Sequence, residues 1–230
     1  MKGKRILLWD LPTRLFHWLL VVAVVAAVVT GQLGGNLIDW HGRIGLAIAG
    51  LLAFRIVWGM LGSTYARFAQ FFPTPDKIKA YLAGRWQGEG HNPLGALSVF
   101  GLLALLIIQV ATGLVGNDDI AFSGPLADLV SREISNRLTG LHHQLANVLI
   151  ALVVLHVAAI VFYGHIRKQK LLKPMITGWK DDAEGESAAG GGLLALIVAL
   201  LVAAAVVYGA SGAWLPAPPP PPPPAATPNW

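Results

Sequence analysis

The chain contains no cysteine. That excludes disulfides, iron–sulfur clusters and covalent haem attachment through a C-x-x-C-H motif. A metal centre must therefore draw on histidine, carboxylate or methionine, and there are only three methionines. Charge is scarce as well. Asp, Glu, Lys and Arg make up 13% of the 230 residues, against 55% hydrophobic. That balance excludes an ordinary soluble domain and fits an integral membrane protein. The net charge of +5 does not point to nucleic acid. The basic residues sit at the ends of apolar runs, where they orient the chain and meet anionic headgroups.

What is present is a series of apolar runs. Five are long enough to cross a bilayer, roughly Leu15–Gly31, His41–Leu61, Leu94–Val115, Leu141–Tyr163 and Leu193–Ala213. The fold class expected is an all-α membrane protein: a four-helix transmembrane bundle plus a fifth transmembrane helix. The first run follows MKGKR but is not read as a signal peptide. His17 and Trp18 interrupt its start, and no clear small-x-small cleavage site follows. Thirteen lysines and arginines fall on one side of the membrane, at the N-terminus and in the 62–93 and 164–192 connections. Only Arg43, Arg132 and Arg137 fall on the other. The positive-inside rule then places the N-terminus in the cytoplasm and the C-terminus outside. Trp9, Trp40, Trp58, Trp179 and Trp214 lie near the expected interfaces.

The connections carry signals of their own. Thr74, Pro75 and Gly84 bracket a short helix whose Ile78, Tyr81 and Leu82 share a face. The segment from Asn117 to Gly140 is acidic, with Leu126, Leu129, Val130, Ile134 and Leu138 at helical spacing, so an amphipathic helix over the outer end of the bundle is expected. Pro218–Pro224 reads as a stiff polyproline II rod. The expected division is 1–165 for the bundle, 166–192 for a cytoplasmic linker, 193–215 for the fifth helix and 216–230 for a proline-rich periplasmic tail. The fifth helix has neither histidine nor charge from Leu193 to Trp214. It reads as a packing element whose deletion spares the rest.

Four histidines sit in or at the lip of these runs: His17, His41, His142 and His156. His142 and His156 lie 14 residues apart, which on a helix is ~3.9 turns and ~21 Å, one face at two depths. Under the topology above, His17 pairs in depth with His156 near the inner side, and His41 with His142 near the outer side. One buried histidine is most often a hydrogen-bonded core residue. Two pairs at two depths are what two stacked bis-histidine haems require. Iron ligated on both faces has no open position, which favours electron transfer. From His143 to His156 the rotation is about 140° off one face, so His143 is expected to face away from the ligand side. His91 and His165 are read as cytoplasmic loop residues, solvated or in contact with headgroups. Arg55 lies level with the inner pair and suits a haem propionate, or snorkels to headgroups. Arg14 at the inner lip and Gly45 within the second run complete the candidate cofactor contacts. Gly42, Gly101 and Gly113 also allow close approach of a macrocycle or a neighbouring helix.

Four stretches carry a resemblance: LPTRLFHWLL, HGRIGLAIAGLLAFRIVWGMLGSTYARF, GHNPLGALSVFGLLALLIIQVATGL and HHQLANVLIALVVLH. Together they resemble the bacterial cytochrome b561 and Ni-hydrogenase b-type cytochrome family, over about residues 8–165. The resemblance implies a four-helix bundle with two haems b, moving electrons between the quinone pool (ubiquinone or menaquinone) and a periplasmic or external redox partner. The family's ligand positions fall on His17, His41, His142 and His156. The fifth helix and the proline run lie outside it.

The function expected is that of an electron-carrier subunit in the bacterial inner membrane, serving a periplasmic c-type cytochrome. No catalytic residue is expected. Alternatives are the b-type subunit of a hydrogenase, a superoxide:quinone oxidoreductase, and a non-redox scaffold presenting its polyproline tail. The net −2 outer loop argues against an anionic substrate such as superoxide.

Overall fold

The computed structural model describes residues 4–120 and 122–216. The proline run lies outside the described residues, and so does the rod expected of it. Among the described residues five helices are long and apolar enough to cross a membrane. α1 spans Leu11–Leu33. Asp10 caps it by accepting from the Thr13 amide at 2.8 Å, and Pro12 sits in its first turn. It ends at Gly34, whose φ of 61° suits glycine. α2 spans Ile38–Leu61.

Two short helices follow, α3 (Phe68–Phe71) and α4 (Pro75–Leu82), the latter capped by Thr74 as the sequence suggested. α5 spans Pro93–Leu114 under an Asn92 cap. α6 runs 34 residues, Arg132–His165, from a Ser131 cap. Here expectation and structure differ. Residues 127–129 form only a single tight 3-10 turn, and the segment from Arg132 continues through Gly140 into the membrane span. The helical periodicity belongs partly to one long helix, because Ser131 caps a helix that runs unbroken through Gly140.

The 166–192 connection is more than a linker. It holds α7 (Leu172–Thr177) and β2 (Trp179–Ala183). β2 pairs antiparallel with β1 (Lys4–Leu7), with Leu7 opposite Trp179. Arg14 and Trp18 of α1 donate to the Ile176 and Met175 carbonyls of α7 at 2.7 and 3.1 Å. The start of α1 is thus stapled to this platform.

α2 is the central helix. More than half of its span, 56%, is shut off from the surroundings, against 6% for α1 and for α6. It packs on α1, on α5 and most extensively on α8 (Gly192–Ala210). Ala195 and Ala199 of α8 join Phe16, Phe54, Val57, Trp58 and Ala66 in one buried cluster. Gly50 lets Val207 approach the α2 backbone. α6 packs along α5 but stands off from α1 and α2. A second cluster of Ile48, Leu52, Leu106 and Leu149 ties α2, α5 and α6 in mid-bundle.

Candidate cofactor site

The stand-off of α6 from α1 and α2 matters because those three helices carry the four histidines. His41 of α2 and His142 of α6 face each other with ring centroids 5.9 Å apart and planes at 84°. Metal–imidazole bonds of ~2 Å, with ~1 Å more from each nitrogen to its ring centre, put two ligating rings about 6 Å apart across one ion. His41 Nδ1 lies 2.8 Å from the Ala27 carbonyl oxygen. His142 Nδ1 lies 2.9 Å from the Gln109 carbonyl and 3.2 Å from Thr112 Oγ1. A ring that donates its Nδ1–H to a carbonyl keeps Nε2 free of a proton and available to a metal.

Around this pair runs a cleft lined by all four bundle helices: Val24, Ala27 and Gly31 of α1, His41 and Gly45 of α2, Gln109 and Gly113 of α5, and His142 and Ala146 of α6. Nothing lies within 4 Å of where a Gly45 Cβ would stand, so the cleft keeps open space there. Two other glycines seat the rings. A Cβ on Gly31 would lie 2.9 Å from His41 Nδ1, and one on Gly113 would lie 2.9 Å from His142 Cε1. Gly42 instead meets the Phe122 ring of the 115–131 loop, and Gly101 meets nothing within 4 Å. His143 is exposed, at the margin of the cleft.

The second pair lies toward the β1–β2 platform. His17 of α1 and His156 of α6 are close enough for their charges to interact. Ser98 Oγ lies 3.4 Å from His156 Nδ1, and His17 Nδ1 is buried without a hydrogen-bond partner. Among the described residues no three His, Cys, Asp or Glu side chains gather around a point. A bare ion held by protein alone therefore has no ligand set here. The facing His41–His142 pair suits an ion whose other ligands come from a flat macrocycle.

A model of the prokaryotic cytochrome b561 family matches residues 8–178, three quarters of the chain and every histidine just described. The chain belongs to that family. It is a membrane b-type cytochrome, an electron-transfer protein whose cofactor is haem b. Curated relatives agree. A protein of Azotobacter chroococcum mcd 1 named "Probable Ni/Fe-hydrogenase B-type cytochrome subunit" is 24% identical over 79% of this chain and 92% of its own length. Its namesake in Azotobacter vinelandii is 25% identical over the same shares. "Probable Ni/Fe-hydrogenase 1 B-type cytochrome subunit" of Escherichia coli (strain K12) is 24% identical over 46% of this chain, and the match spans little more than half, 57%, of that relative. No solved structure matches the chain.

In this cytochrome Arg55 does not snorkel. It is buried, 3% exposed. Its guanidinium lies 4.5 Å over the Phe68 ring and 5.9 Å from that of Phe16, and it donates to the Ala66 carbonyl at 3.1 Å. Arg14 turns its guanidinium to α7 through the Ile176 carbonyl, leaving Nε buried and unpartnered.

His91 is the main correction to the sequence reading, which left it solvated or in contact with headgroups. Its ring lies 4.7 Å from that of Trp9 and 4.5 Å from that of Phe71, and its Nδ1 is shut off from solvent with no hydrogen-bond partner. Burial first, then the charges of Arg55, His156 and His17, push its pKa down to about 3, so it is neutral at pH 7.

The sequence reading also missed Ser98, Gln109 and Thr112. They are the polar side chains of the α5 run, and each meets a histidine of one of the two pairs. That polarity in a membrane span was the available signal.

Proposed function

We propose that this cytochrome carries electrons across the membrane through two haems b, one held by His41 and His142 and one by His17 and His156. The observation that carries this is the facing of the His41 and His142 rings at 5.9 Å, with both Nδ1 atoms on backbone carbonyls. Haem iron supplies a reversible one-electron couple. The residues do the rest. Ala27 and Gln109 carbonyls fix the ring tautomers, Gly31 and Gly113 set the ring positions, and Gly45 keeps the cleft open. Arg55, and Arg14 at the lip, offer cationic partners to propionates. The two sites are ~21 Å apart along α6, which brings the edges of two large macrocycles within reach of a direct electron hop.

The platform face is cytoplasmic and the face bearing the 115–131 loop is periplasmic in the bacterial inner membrane, by the excess of lysine and arginine at the platform. The electrons pass between the quinone pool and a redox partner at the periplasmic face. A periplasmic c-type cytochrome is one such partner. The names of the relatives favour a second, a Ni/Fe-hydrogenase. Visible spectra and a potentiometric titration of the purified protein test the carrier: two b-type waves are expected, and a single wave or none overturns the reading. Reduction of those haems by hydrogen in membranes, against reduction by a reduced c-type cytochrome, separates the two partners.

A further inference from the structure

We propose that His91, with Arg55, holds a propionate of the inner haem. This rests on the assignment of His17 and His156 to that haem. Arg55 is buried and His91 half-buried, and aromatic rings connect them. Arg55 stacks 4.5 Å from Phe68, Phe68 lies 6.0 Å from Phe71, and Phe71 lies 4.5 Å from His91. The His91 ring also lies 4.7 Å from that of Trp9, and the next residue, Asp10, accepts from Trp58 on the helix of Arg55. Both donors therefore lie along the Phe68–Phe71 wall near the Trp9–Asp10 turn, and His91 is close enough to Arg55, His156 and His17 for their charges to act on it.

Their hydrogen-bonding capacity is not used up by protein. Arg55 has five N–H donors, and the Ala66 carbonyl takes one. His91 Nδ1 is buried with no partner. The acid of this turn, Asp10, is already engaged: Oδ1 accepts from the Thr13 amide at 2.8 Å and Oδ2 from Trp58 Nε1 at 3.0 Å. A buried donor without an acceptor costs free energy, and although the Asp10 charge reaches Arg55, no hydrogen bond joins the two. An anionic acceptor with several lone pairs fits both needs at once. A haem bound by the neighbouring histidines carries two carboxylates. His91 is a positioning residue in this account: it anchors the macrocycle and sets the charge felt by its iron.

The test uses the full-length, haem-loaded protein. His91→Ala is expected to move the inner potentiometric wave to lower potential and to shift the propionate-bending bands in resonance Raman spectra. The outer wave and the haem content stay as in the wild type. His91→Gln, which keeps an N–H donor, is expected to fall between. An inner wave and Raman bands unchanged in His91→Ala overturn the proposal, as does a shift confined to the outer wave. If His91→Ala does not accumulate, His91→Gln is compared with Arg55→Gln. Both are then expected to move the same inner wave, and Raman bands indifferent to His91→Gln overturn the proposal. A wild-type protein with fewer than two haems overturns the underlying assignment. Two haems indifferent to His91 overturn only this inference.

Discussion

At the residue scale, chemistry is concentrated in a few polar atoms within an apolar bundle. The four histidines stand out in the sequence because ionisable groups in membrane spans are costly and because the expected topology sorts them by depth. The same scarcity makes the pairing testable. His17→Ala and His156→Ala are each expected to abolish the same potentiometric wave, and His41→Ala and His142→Ala the other. Identical spectra from His17→Ala and His41→Ala would break the pairing. His143→Ala should leave both waves, since its exposed ring lies at the cleft margin. The glycines make a sharper point. A Cβ on Gly113 would press on the His142 ring from 2.9 Å, so Gly113→Val should empty the outer site while the inner wave survives. Gly45→Ala, facing open space, should be the milder change in protein alone and matter only with haem bound. His91 was not readable. Its neighbours Gly90 and Asn92 look like an ordinary loop and helix cap, and its burial comes from Trp9 and Phe71, 82 and 20 positions away.

At the element scale, the five spans were legible because a bilayer dictates length and hydropathy. What composition could not convey was which helix sits in the middle. α8 reads as uniformly apolar, with no face marked for packing, so its deletion looked harmless. The packing of α8 supports the opposite expectation. Ala195 and Ala199 are buried against Phe54, Val57 and Trp58 of α2 and share a cluster with Phe16, the neighbour of His17. Truncation before Leu193 should therefore weaken the inner haem first and leave the outer one, read as selective loss of one wave. A gentler probe is Ala199→Phe. Ala199 is fully buried, and overpacking such a site costs about 1–3 kcal/mol. The expected outcome is a lower thermal midpoint for haem release with both spectra initially intact. The β1–β2 pairing was invisible for a different reason. KRIL is four residues long and becomes a strand only because WKDDA, some 175 positions later, returns to meet it.

At the scale of the whole molecule, charge is polarised along the bundle. Among the described residues twelve lysines and arginines belong to the platform end, where Lys180 and Lys173 are tied to Glu89 and Asp181. The other end carries Asp39, Asp118, Asp119, Asp128 and Glu133 against three arginines, a net charge of −2. Two of those arginines are already engaged locally: Arg132 with Asp119 and Arg137 with Glu133, both at 2.7 Å. These are exposed pairs that contribute little to stability, but they leave the surface potential negative. The proposed outer haem site lies directly beneath, since Asn117, Asp118, Phe122 and Thr139 line the same cleft as His41 and His142. A partner exchanging electrons with that haem therefore approaches an acidic face, and a basic patch around its own redox centre gives the faster encounter. Between ~0.01 M and 0.15 M salt the screening length falls from about 30 Å to about 8 Å. The bimolecular rate of haem reduction by such a partner should fall steeply over that range, and Asp128→Lys should flatten the dependence without moving either haem potential. A rate indifferent to salt would mean that the partner docks through apolar contact, and the loop acids would then have no part in bringing it to the outer haem.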